Sequence, residues 1–272
     1  MKRGAVLCCT VFLSIFIGCL AIAGGTSTHR AIVISNNYEF TADNGVCSGT
    51  GELNDPYIIE NWIIDAGYDE YGIRIHGTTR AFIIRNVEIS GAAKSGIYLS
   101  YVRNGRIQEC SFEGNWTGVT LNFAARNRIS DCTFSNNTDG IRTYFSSGNQ
   151  ILRNTFEKND TAIWLDASNE NVVLGNYITE SHMGVYLNLG STGNRILDNA
   201  FVANMHHAHT DDPNQWDDGT EGNYWGGFRA IDAEQDGIWD SPYKITSDGD
   251  QDNFPLVNHP LVPAPPAPAC EL

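Results

Sequence analysis

Isoleucine and phenylalanine recur at nearly fixed intervals along this chain. Ile64, Ile89, Phe112, Phe134, Phe156, Ile178 and Phe201 are separated by steps of 25, 23, 22, 22, 22 and 23 residues. A second apolar column runs five residues ahead in the same steps: Ile59, Ile84, Ile107, Ile129, Ile151, Val173 and Ile196. A third holds Gly72, Gly96, Gly118, Gly140, Ala162 and Gly184, each followed by Ile or Val. Periods of this size mark stacked structural units, none of which can bury its apolar face alone. Inside a unit such as DGIRTYFSSGNQILRNTFEKND, residues 139–160, apolar and polar residues alternate and Gly and Asn sit at the bends. That pattern suits short strands joined by turns, and no 3.6-residue period runs through it. The expected fold is all-β: a single-stranded, right-handed parallel β-helix of about eight coils with a repeat of about 22 residues. Leucine-rich repeats are the rival architecture, and the units lack their leucine pattern.

Asparagine columns support the coil. Asn127, Asn149, Asn171 and Asn194 form one; Asn115, Asn137, Asn159, Ser181 and Asn204 form another; Cys110, Cys132, Asn154, Asn176 and Asn199 form a third. Asn tolerates left-handed bends, and its amide can bond to the same group one coil away. Coils about 4.8 Å apart place Cys110 and Cys132 within disulfide range. The reading preferred for them is a neighbouring pair of small buried thiols. Asn115, Asn136 and Asn159 each open an N-x-T sequon, and only Asn136 lies outside a ladder.

The first 23 residues read as a secretory signal. Lys2 and Arg3 precede the apolar run Val6–Ile22, which ends in Ala21-Ile22-Ala23. An uncleaved anchor, or a lipoprotein signal at Cys19, are the alternatives. The chain carries 17 basic and 32 acidic residues, a net charge of −15; removal of Lys2 and Arg3 leaves 15 against 32, or −17. Such a balance argues against nucleic acid or an anionic membrane as partner, and no later stretch is apolar enough to span a bilayer. The expected location is secreted: extracellular, periplasmic or on the cell surface, as a monomer. Beyond the signal, residues 24–48 read as an N-terminal opening segment, 49–225 as the β-helix, 226–258 as an acidic C-terminal cap, and 259–272 as a Pro-rich tail.

Four groups of residues bear on function. NNTDGI at 136–141 presents Asp139 as some pectin hydrolases present a catalytic acid. Its equivalents in the other coils are Tyr71, Ser95, Thr117, Thr161 and Met183, so the position reads as a recurring seam. A second carboxylate at a set distance is what such chemistry needs. Outward from the strands, one column should read Arg74, Tyr98, Thr120, Arg142, Trp164 and Tyr186, and a second His76, Ser100, Asn122, Tyr144, Asp166 and Asn188. Aromatic rings beside amides and guanidiniums suit sugars, and Arg suits uronate carboxylates. The expected partner is therefore an extracellular or cell-surface polysaccharide, bound by Arg74, Tyr98, Arg142, Tyr144, Trp164 and Tyr186. For catalysis no constellation stands out, and Asp166 with Arg142 is the nearest. IDAEQDGIWD at 231–240 spaces Asp232, Glu234, Asp236 and Asp240 as hard oxygen donors for calcium. MHHAHTDD at 205–212 gathers His206, His207 and His209 for copper or zinc, with His207 and His209 expected on one side.

Three stretches resemble one branch of the pectin-lyase-like β-helix superfamily, the NosD-like secreted repeat proteins. They are the opening GTGELNDPYIIENWIIDA at 49–66, the coils at 72–205, and the closing GNYWGGFRAIDAEQDGIWDSPYKITSDGDQDNFPL at 222–256. The resemblance implies a β-helix whose eighth rung is GNYW. It also implies a range of functions: copper delivery to a periplasmic reductase, polysaccharide lyase, hydrolase or epimerase activity, or a surface role.

Overall fold

The computed structural model describes residues 26–245 and 249–262. The signal segment and the PAPPAP run at 263–268 lie outside them. Each coil contributes three short strands, and equivalent strands of successive coils pair in parallel into three faces of eight, eight and nine strands. The first face carries the longest, including Ser95–Ser100, Thr117–Asn122, Asp139–Tyr144, Thr161–Asp166 and Met183–Asn188. In the coil that starts at Asp139, the second face follows as Gln150–Leu152 and the third as Thr155–Glu157. The fold is a parallel β-helix with the spacing the columns predict. Tyr224–Trp225 pairs with Ala200–Phe201, so GNYW does form a last rung.

The three apolar columns are the core. Ile59, Ile84, Ile107, Ile129, Ile151, Val173 and Ile196 are each 0–1 % exposed, stacked in register on the second face. Phe112, Phe134 and Phe156 stack nearly parallel, 4.8 Å between centroids, on the third. Each such side chain contributes about 1.5–3 kcal/mol by leaving water. The glycine column makes room for these rings: a Cβ on Gly140 would lie 2.5 Å from the Ala162 carbonyl oxygen and 2.8 Å from Phe156.

All three polar columns are hydrogen-bonded ladders. Asn176 Nδ2 donates to Asn199 Oδ1 at 2.9 Å and to Ile151 O at 3.0 Å, while its own Oδ1 accepts from the Asn154 amide N–H and side chain. Asn214 extends the ladder of Asn127 by one more rung. Cys110 and Cys132 sit at the head of the third ladder as unbridged, buried thiols, with Cys110 N–H directed to Cys132 Sγ at 3.5 Å. Burial pushes the Cys132 thiol well up from its ordinary value. Asn115 and Asn159 are buried, and Asn136 is exposed.

Every coil turns through left-handed corners at residues that are often not glycine. Tyr101, Phe123, Phe145, Ala167 and Leu189 occupy one such corner column, with φ between 46° and 53°. The last coil is closed by Trp225 and Tyr243, stacked 4.1 Å apart, and by the antiparallel pair Tyr243–Lys244 and Gln251–Asp252. His259, at the start of the expected tail, is buried and bonds to Asp198 at 3.1 Å.

Candidate functional site

The first face is the one whose outer surface collects chemistry. Strand pairing places Arg74, Tyr98, Thr120, Arg142, Trp164 and Tyr186 in one row and adds His209 at its end. His76, Ser100, Asn122, Tyr144, Asp166 and Asn188 form the row beside it. Both rows are in the predicted register. They are half-buried, because neighbouring long side chains lie on one another along the axis.

At the centre stands Arg142. Its NH1 bonds to Asp139 Oδ2 at 3.2 Å and its NH2 to Asp166 Oδ2 at 3.1 Å. The guanidinium carbon lies 3.6 Å from the Trp164 ring centroid and 4.8 Å from that of Tyr144. Trp164 Nε1 donates to Asp166 Oδ1 at 2.7 Å. The Asp139 and Asp166 side chains are only 3 % and 5 % exposed. Burial raises the Asp139 carboxyl above its usual range, although Arg142 pulls the other way. The strand bends at Gly140, whose hydrogen faces the core; that bend turns Asp139 outward, onto the side of Arg142. Two carboxylates thus bracket one guanidinium, a closed cluster of net charge −1.

Two expectations change in detail here. The guanidinium arms of Arg142 are committed to Asp139 and Asp166 and are not turned out toward a uronate. One face of Trp164 lies against Arg142, and the edge-on ring of Tyr186 is its other neighbour at 5.2 Å.

The row ends in imidazoles and thioethers. Met183 pairs in register with His206, and the His182 and His206 rings make an edge contact with centroids 5.6 Å apart. Met205, next to His206, is exposed. His182-Met183 and Met205-His206 therefore occupy equivalent positions on adjacent coils, 23 residues apart. His207 does not join them, nor does it share a side with His209. The bend at the glycine column puts residue 207 at the position of Gly184, facing inward, where its Nε2 meets Gly226 O at 2.9 Å. Burial lowers the His207 pKa. His209 stacks on Tyr186 and bonds to Asp211 at 3.0 Å. His182 and Met183 escape a search for local motifs; alignment one coil upstream of His206 finds them.

The acidic loop is held by its own backbone. Asp232 accepts from the N–H groups of Asp236 and Gly237, Asp236 from Ile238, and Asp240 from Ala233. Glu234 is exposed. Among the described residues no three His, Cys, Asp or Glu side chains converge on one point.

A family model described as "Periplasmic copper-binding protein (NosD)" matches residues 23–230. The chain belongs to the NosD family. Within that family the chain is 31 % identical over 74 residues to a "Probable ABC transporter binding protein NosD" of Pseudomonas aeruginosa. That stretch is 26 % of this NosD-family chain and 17 % of the relative's length. Among solved structures, a hyperthermoactive exopolygalacturonase from Thermotoga maritima overlaps 76 % of this chain and 72 % of its own, at 10 % identity and a TM-score of 0.37. Among the described residues of this NosD-family protein no helix is long and apolar enough to cross a membrane.

Proposed function

We propose that this protein is a periplasmic or extracellular copper-binding β-helix that holds its ion at the end of the first face. The observation that carries this reading is the block of two imidazoles and two thioethers formed by His182, Met183, Met205 and His206. Thioether sulfur is a soft donor that favours Cu(I), and imidazole suits copper in either state. The four side chains fit that ion better than a hard cation, because no carboxylate stands among them. A net charge of −15 raises the local concentration of any cation. The printed description of the family agrees with this donor set. In this role the chain stores or hands on copper, and the rigid coils hold the donors one rung apart.

The test is a competition titration of Cu(I) against a chromophoric chelator under reducing conditions. H182A/H206A and M183L/M205L are expected to weaken binding by about tenfold or more each. H207A and H209A should leave it unchanged. Equal affinity in all four variants ends this reading.

A second reading is carried by the in-register rows of the first face, which offer a polysaccharide a continuous hydrogen-bonding surface. Its polar groups are Asn122, Tyr144 and Asn188, with the edges of Tyr98, Trp164 and Tyr186 between them. Binding on a glycan array that W164A/Y186A abolishes would support it; unchanged binding would sink it. A lyase or hydrolase acting through Asp166 would release new ends from a polymer, and D166A would stop it. For the acidic loop, calcium is a separate proposal: a rise in melting temperature on adding calcium, absent in D236N, is its signature.

A further inference from the structure

We propose that the second face carries a cleft for an acidic saccharide, with guanidiniums as the recognition elements. A cleft of about 560 Å³ lies between the opening loop, at Leu53 and Pro56, and the outer side of this face. Arg106, Arg126 and Arg128 line it, with Asn104, Gln108 and Gln150 beside them. Arg106 and Arg128 stand opposite each other on paired strands, so their side chains leave the sheet about 4.8 Å apart.

The unusual point is the lack of counter-charge. The chain has 32 acidic residues to 17 basic ones, so a carboxylate partner is easy to supply. Elsewhere the surface arginines have one: Arg80 pairs with Glu52, Arg85 with Glu60, Arg153 with Asp131. Among the described residues, Arg106, Arg126 and Arg128 form no ion pair. Asp131 reaches the rim of the cleft, but Arg153 holds both its oxygens, at 2.8 and 2.7 Å. Like charges on neighbouring strands repel. An anion placed between them removes that cost.

The surroundings say which anion. A guanidinium binds carboxylate through two parallel N–H bonds, a geometry an ammonium cannot match. The amides of Asn104, Gln108 and Gln150 can donate to and accept from hydroxyl groups. Leu53 and Pro56 give an apolar wall suited to the C–H face of a sugar ring. No exposed aromatic ring lines the cleft for a base to stack on, and the net charge repels a long polyphosphate backbone. A uronate-bearing oligosaccharide meets each of these conditions. The site lies on a different face from the copper block and the Arg142 cluster, and stands or falls independently of them.

The test is titration calorimetry of the full chain with a short oligogalacturonate, its methyl ester and a single-stranded oligonucleotide. The acid should bind, the ester should bind about tenfold or more weakly, and affinity should fall with salt. R106Q/R128Q should lose binding by a similar factor at an unchanged melting temperature, because both side chains project from the sheet surface. R126Q alone serves should the double variant fold poorly. W164A on the first face should bind as the native chain does. No binding of the acid, equal binding of acid and ester, tighter binding of the oligonucleotide, or full affinity in the arginine variants would each overturn the proposal.

Discussion

Asp252 accepts the indole N–H of Trp225 at 2.8 Å, from 27 residues farther along the chain, and this bond ties the cap to the last rung. The same carboxylate accepts the N–H of Asn223 at 2.7 Å and of Phe254 at 3.0 Å. It is fully buried, and the approach is so close that a Cβ on Gly222 would overlap it at 1.9 Å. Burial raises its pKa from 3.8 to about 6. A raised carboxyl binds its proton more firmly in the folded chain than in the unfolded one. Its contribution to stability is therefore greatest below about pH 4, falls as pH rises through the window up to about 6, and is level above that. Urea midpoints of the native chain minus those of D252N, measured from pH 4 to 7, should fall along that curve. A flat difference would show that Asp252 does not titrate there. D252A, which strands three donors, should cost about 2–4 kcal/mol at any pH in the range.

The Asn ladders make a second prediction. Asn176 satisfies buried groups on the coils before and after it. N176A should cost about 2–3 kcal/mol, because it orphans an amide N–H and a carbonyl in the dry interior. Cys132 occupies the same column, where Asn154 Oδ1 accepts its N–H. C132N extends an existing ladder and should change stability by less than about 1 kcal/mol. Chemical denaturation of both variants checks the contrast; equal losses would mean that the ladder contributes nothing beyond filling space.

Periodicity made the coil legible because one apolar column and one amide column must repeat for the stack to close. Ile107 above Ile129, and Asn149 above Asn171, could be placed without coordinates. The corners could not. Tyr101, Phe123 and Leu189 take left-handed φ at a position marked by no residue type, because stacking of the coils on either side fixes the turn whatever side chain stands there. Alternation also misleads at the glycine column: the bend there sends Asp139 outward and His207 inward, against a simple in-out count. The partners of Arg142 were hidden for that reason. The cap was hidden by distance, since Asp250 and Asp252 serve Asn214, Trp216 and Trp225 from 27 to 36 residues away. The imidazole–thioether block needed two coils to be laid side by side.

Leu189 offers a stabilising substitution. It is 71 % exposed with φ 53°, so its side chain contributes little packing while the backbone sits where a Cβ is costly. Asn accepts that conformation more readily and does not loosen the unfolded chain as Gly would. L189N should raise stability by about 0.5–1 kcal/mol. A loss on thermal melting would show that the leucine packs against something the fold needs.

Arg142 compensates two carboxylates that burial would otherwise penalise. R142M keeps an unbranched stem against Trp164 and Tyr144 but leaves Asp139 and Asp166 without a cation. Removal of one partner from a buried ion cluster costs about 3–5 kcal/mol, and the fraction of Arg142 left exposed, 21 % of the side chain, favours the lower end. The loss should grow with pH, because both carboxyls are neutral in acid and the repulsion between them appears only on ionisation. D139N/R142M/D166N removes all three charges and should recover most of the stability. Urea unfolding of R142M and the triple variant at pH 4 and pH 7 measures each step. Should R142M lose as much at pH 4 as at pH 7, the stacking of the guanidinium on Trp164, and not its charge, would be what holds this part of the face together.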